Sequence, residues 1–155
     1  TLFYLRFVKN YHAMDKHAWS NLPDGKRNAW AGYAFEQVCI LHIDQIKQAL
    51  GISGIACDVC SWSYKDEKQG AQIDLVIDRN DKSIDLCEIK YSVGQYELKK
   101  DYVEWLRERR NLFRDVTGTR KTLRLTMISS GGIKAGKYVS SIQGKVTLSD
   151  LFSEG

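Results

Sequence analysis

The chain has a single proline, three histidines and no apolar run near the roughly 20 residues of a membrane span. It also lacks the charged, apolar and small-residue blocks of a secretory signal, so the expected setting is the cytoplasm and no membrane partner is expected. No G-x-x-x-x-G-K-[ST] loop is present, and these residues are not expected to bind ATP. His12, His17 and His42 are scattered, without the context of a Ser-His-Asp or Cys-His arrangement. Four cysteines occur, and Cys57 and Cys60 have zinc-ligand spacing, but no second pair follows, so plain buried thiols are the expectation. Nor is there a dense stripe of one charge. The net +4 is compatible with a polyanionic partner without arguing for one.

What is present fits one globular domain. The 155 residues are 43% hydrophobic and 27% charged, enough to bury a core without staples. Thr1 is followed at once by the apolar segment Leu2 to Val8, with no capping or turn sequence ahead of it. This segment is expected to pack as an added strand or helix, and the chain to be a piece of a longer protein. Residues 1–27 are read as an N-terminal segment and linker, containing a turn at Pro23-Asp24-Gly25, and 28–155 as the domain proper.

Apolar residues from Trp30 to Leu50, among them Phe35, Val38, Cys39, Leu41 and Ile46, recur at helical spacing, with Gly51 as C-terminal cap. Residues 55–64 read as a strand with an irregularity near the cysteines. Residues 72–90 read as a hairpin, two β-branched, alternating stretches around an Asn80-Asp81 turn signal. A second amphipathic helix is expected over 95–113, its outer side carrying Lys99, Lys100, Arg107, Glu108, Arg109 and Arg110. A strand over 123–128, a short one near Val146 and a terminal turn at 149–152 follow. A strand after a crossover helix normally runs parallel to a neighbour, so the expected fold is α/β, a mixed central sheet flanked by helices.

The chemistry-bearing residues lie on the hairpin. Alternation puts Asp74 with Val76 and Asp78 on one face of the first strand, and Glu88 with Lys90, Leu86 and Ile84 on one face of the second. Register decides whether they meet. A two-residue turn would pair Asp74 with Cys87, whereas a three-residue loop over 80–82, or a single bulge, would pair it with Glu88 and gather the charges.

The order helix, three strands, helix, strand, with Glu36 on the first helix, Asp74 on the second strand and Glu88-Ile89-Lys90 on the third, resembles the PD-(D/E)xK nuclease superfamily of restriction endonuclease-like and Holliday junction resolvase-like enzymes. Phe3-Tyr4-Leu5-Arg6-Phe7, Trp30-x-Gly32-x-Ala34-Phe35-Glu36, Gly70-Ala71-Gln72-Ile73-Asp74 and Cys87-Glu88-Ile89-Lys90-Tyr91 look like the C-terminal domain of a family of prokaryotic AAA+ type ATPases. The resemblance implies a restriction endonuclease-like α-β-β-β-α-β core, with ATPase and winged-helix domains preceding it in the full-length chain. It further implies hydrolysis of DNA phosphodiester bonds with Mg²⁺ or Mn²⁺. Asp74 and Glu88 would supply hard oxygen ligands, the Ile89 carbonyl a third, and Glu36 a contact to a second ion or to water. Lys90 would orient or help deprotonate the attacking water and offset charge developing in the transition state, while Gln72, Tyr91, Ser92, Lys99 and Lys100 would contact the nucleic acid. Cutting both strands would require a homodimer. The rival reading is a non-catalytic DNA-binding or protein-interaction module; on the bland view, Glu88 and Lys90 are solvated strand neighbours.

Overall fold

Residues 24–153, those described by the computed structural model, form four helices and one five-stranded sheet. In chain order these are α1 (Asp24–Leu41), α2 (Ile43–Ala49), β1 (Cys57–Lys65), β2 (Gly70–Arg79), β3 (Ser83–Lys90), α3 (Lys100–Thr117), β4 (Thr122–Ser129), β5 (Gly144–Thr147) and α4 (Leu148–Leu151). The strands lie side by side in sequence order. β1, β2 and β3 are antiparallel, and β4 and β5 continue the sheet in parallel. The expected mixed sheet flanked by helices is therefore present. The apolar segment of residues 2–8, the tryptophan at 19 and two of the histidines lie outside the described residues. None of the described helices is long and apolar enough to cross a membrane.

Two apolar layers sandwich the sheet. Phe35 and Cys39 of α1 and Ile46 of α2 pack with Leu75, Ile77 and Cys87 on one face. On the other, Phe113 packs with Val76 and Leu86, and Val103 and Leu106 pack with Leu125 and Met127. Burial of these side chains, each worth about 1.5–3 kcal/mol, drives the sandwich.

The hairpin has the odd-length loop that the charges require. Pairs run from Leu75 with Cys87 to Asp78 with Ile84, leaving residues 80–82 as a three-residue turn with Lys82 in the left-handed region at φ 65°. The ladder ends at Leu75 with Cys87, and the charge-bearing residues Asp74 and Glu88 come next on the two strands. The irregularity expected in β1 is also present, with a consequence for β2. Cys60 pairs with Val76 and Trp62 with Ile73, so β2 carries one extra residue at Asp74-Leu75. Ile73 consequently joins Val76 in the α3-side layer while Leu75 stays with α1, so strict alternation along β2 fails between Ile73 and Val76.

The first helix begins at Asp24, within the Pro23-Asp24-Gly25 stretch read as a turn, so residues 27 and 28 both lie inside α1. It is also broken at His42. There the ring Nδ1 lies 2.7 Å from the Val38 carbonyl, which the backbone N–H would take in a continuous helix, and that N–H bonds Cys39 instead. The break leaves Leu41, expected among the apolar helical positions, 80% exposed. Gly51 does end α2, at φ 72°, with its N–H bonded to Gln48 and that of Ile52 to Lys47.

Residues 95–99 stay outside α3, contrary to the expected helix start, because Tyr96 donates to the Gly132 carbonyl and accepts from the Lys134 N–H. The loops after β3 and β4 are clasped together. The Ser130 hydroxyl bonds both the N–H and the carbonyl of Ser92, and the Ser130 N–H donates to Lys90. Gly131 allows this closeness, since a Cβ there would lie 1.9 Å from the Gly94 carbonyl oxygen. Gly131→Ala must displace backbone, and urea melts should show a loss of about 1–3 kcal/mol. An unchanged midpoint would mean that the clasp is dispensable.

Candidate functional site

Asp74 lies midway along β2, just beyond the last residue paired with β3, and Glu88 to Lys90 form the end of β3 away from the turn. Along α1, Asn28, Gly32 and Glu36 fall at four-residue intervals and line a cleft with Ile89, Lys90, Tyr91 and Ser92. A Cβ at Gly32 would meet nothing within 4 Å, and partly buried Glu36 lines the same cleft.

Electrostatics ties the acids together. Burial pushes the Glu36 carboxyl above the usual glutamate range, and the charges of Asp74 and then Glu88 push it further. Glu88 is also raised, by burial above all. Arg109 opposes that rise, Asp74 adds to it and Lys90 offsets it. The charges of Asp74 and Glu88 thus act on Glu36, and that of Asp74 on Glu88, in a partly desolvated region where a nearby cation would ease the repulsion. An acid whose folded-state pKa is raised costs stability as pH climbs through that value, and the cost is absent below the unfolded-state pKa. Glu36→Gln should therefore raise the melting temperature at pH 7 in chelator-treated buffer, with a smaller gain as pH falls toward 4.5, the ordinary glutamate value. Equal melting of the two proteins at pH 7 would show that the acids are not in conflict.

Each member has further partners. Asp74 Oδ1 accepts from Gln72 Nε2 at 3.2 Å. Glu88 Oε2 accepts from Arg109 Nη1 at 2.7 Å, and Arg109 Nη2 donates to the Gln72 carbonyl. The Lys90 amine sits 5.5 and 5.8 Å from the ring centres of Tyr96 and Tyr102, within cation–π range, on the α3 side of the sheet. Burial, reinforced by the Glu88 charge, holds the Tyr102 phenol well above its ordinary value, so it remains protonated.

The expected nucleic-acid contacts separate. Gln72 and Tyr91 adjoin the acids, and Tyr91 is 37% exposed with its ring tilted against Phe35. Ser92 lines the cleft, but its hydroxyl donates to the Gly94 carbonyl at 2.9 Å and belongs to the loop clasp. Lys99 and Lys100 are exposed at the start of α3, Lys100 in an ion pair of 3.7 Å with Glu104. Ile89 packs its side chain against the α1-side layer.

Arg109 is the member that sequence reasoning missed. Assigned to a solvated basic face, it is instead nearly buried, because Tyr102, Leu106 and Arg109 share one stripe of α3. That spacing was the available signal. Cysteine readings also need correction. Cys39 and Cys87 are buried and their thiols are pushed up by burial, Cys39 to about 12, but Cys60 is exposed on edge strand β1. All four are free thiols.

Among the described residues no three His, Cys, Asp or Glu side chains stand close enough to cage a metal unaided. Mg²⁺ demands less, being held by one or two carboxylates with water and substrate phosphate completing the shell. Hard oxygens of Asp74 and Glu88, with Glu36 behind them, fit that requirement in type and number. No family model, curated protein or solved structure matches the chain.

Proposed function

We propose that the chain is a Mg²⁺- or Mn²⁺-dependent DNA endonuclease domain of restriction endonuclease-like fold, working as the C-terminal part of a larger ATPase. The observation that carries this reading is that Glu36 and Lys90 line one cleft at the end of β3, with Asp74 and Glu88 near enough for their charges to act on Glu36. When bound, the divalent ion neutralises phosphate charge and makes water more acidic. Asp74 and Glu88 hold the ion, and Glu36 anchors water at the helix side. Lys90 would orient the attacking water and donate to the phosphate oxygen on which charge builds; the water gives its proton to bulk water as its oxygen bonds phosphorus, and the departing sugar oxygen takes a proton from bulk water as its P–O bond breaks. Gln72 orients Asp74, and Tyr91 lies where the sugar-phosphate chain would pass.

Linear, nicked and branched DNA incubated with Mg²⁺ or Mn²⁺ tests this directly. Cleavage is expected with at least one substrate, and none with Asp74→Asn or in chelator; no cleavage of any substrate, or equal cleavage by the variant, would overturn it. The internal pairing of Glu88 with Arg109 favours one second reading, a DNA-binding module that has kept the fold without the reaction. It predicts salt-sensitive binding that survives Asp74→Ala and Glu88→Ala.

A further inference from the structure

Glu88 offers its two oxygens unequally. Oε2 is occupied by Arg109 Nη1 at 2.7 Å, and no hydrogen bond from a described residue reaches Oε1. Arg109 is itself fixed from three directions. One terminal nitrogen holds Glu88, the other holds the Gln72 carbonyl, and the guanidinium lies 4.3 Å from the centre of the Trp105 ring. The side chains of Arg109 and Glu88 are only 11% and 16% exposed, so solvent competes weakly for the pair. A loose surface ion pair would have none of these constraints.

We propose that Arg109 is a positioning residue that selects the cation: by holding Oε2 it leaves Glu88 a single oxygen and restricts it to one-oxygen ligation. This rests on the cation-dependent reading above and adds its metal preference. Mg²⁺, and Mn²⁺ in its place, takes an octahedral shell that one oxygen per carboxylate satisfies. Ca²⁺ collects six to eight oxygens and commonly takes both from one carboxylate. A glutamate limited to Oε1 therefore penalises Ca²⁺ more than the smaller ions. The nearby guanidinium charge also opposes any divalent ion, but it opposes equal charges equally, so it cancels in a ratio of affinities.

Calorimetric titration of the whole chain with Mn²⁺ and with Ca²⁺, without DNA, reads that ratio. In Arg109→Met the preference for Mn²⁺ over Ca²⁺ is expected to fall about tenfold as Glu88 becomes free to offer both oxygens. Arg109→Lys, which keeps a donor for Oε2, should retain most of the preference. If Arg109→Met does not fold, Trp105→Ala removes the ring under the guanidinium at a position that is 43% exposed, and the ratio must fall there too. Binding with an unchanged ratio in the folded variant overturns the role of Arg109 and leaves the cation site standing. A wild-type chain that binds neither ion overturns the cation site and this inference together.

Discussion

Asp85→Asn is expected to cost about 3–5 kcal/mol of folding stability, lowering the melting temperature by roughly 10 °C. Asp85 is fully buried, and its carboxylate meets Arg79 Nη1 at 3.1 Å, Arg124 Nε at 3.2 Å and the Thr126 hydroxyl at 2.9 Å. It lies toward the turn end of the hairpin, away from the candidate site, and joins strands β2, β3 and β4. Asparagine keeps the shape but removes the negative charge between two arginines, one of them only 9% exposed. Asp81 also pairs with Arg79, yet from an exposed turn, and it replaces little of what is lost. Urea unfolding of the variant measures the cost. A loss under about 1 kcal/mol would show that the arginines find water or other partners.

Lys90→Ala should lower DNA cleavage by about 10²–10⁴-fold while leaving Mn²⁺ binding close to wild type. The amine belongs to the reaction and not to the ion's shell, so binding and turnover should separate in this variant. Asp74→Asn, by contrast, should lose both. The aromatic cage has a part here. Held over Tyr96 and Tyr102, the amine is kept near enough to Glu88 for its charge to act there. Single-turnover cleavage alongside calorimetry distinguishes these variants, and loss of Mn²⁺ binding in Lys90→Ala would place the lysine in a structural role.

Elements governed by local rules were the legible ones. The hairpin announced itself through β-branched alternation around Asn80-Asp81, and the demand that Asp74 face Glu88 singled out the three-residue loop that forms. Gly51 was readable as a cap because only a residue tolerating positive φ closes a helix in that way. Features set by tertiary contact were not. The helix break at His42 depends on a side chain competing for one carbonyl, and periodicity on both sides of it looks continuous. Ile73 changes layers because of a bulge whose location depends on pairing with β1. The rotation of α3 against the sheet turns Arg109 inward, although its charge and its neighbours Arg107 and Arg110 read as solvent-facing. Ser92, polar and beside the motif, is committed to a loop clasp that spans 38 residues of sequence to Ser130.

Glu88 and Lys90 two apart on a strand could face water, but Glu88 is partly buried and coupled to two other acids. Like charges crowded into a partly desolvated pocket are destabilising, and sites of this kind are commonly retained for function. The stabilising Glu36→Gln substitution is expected to come at the expense of activity for this reason.

Titration of the chelator-treated chain with Mn²⁺, followed by calorimetry for the wild type and Asp74→Asn, bears most directly on whether Glu36, Asp74 and Glu88 act together on a cation. Saturable binding in the wild type that disappears in the variant is the predicted result. Heats no larger than dilution in the wild type, or the same binding curve in both proteins, would contradict it.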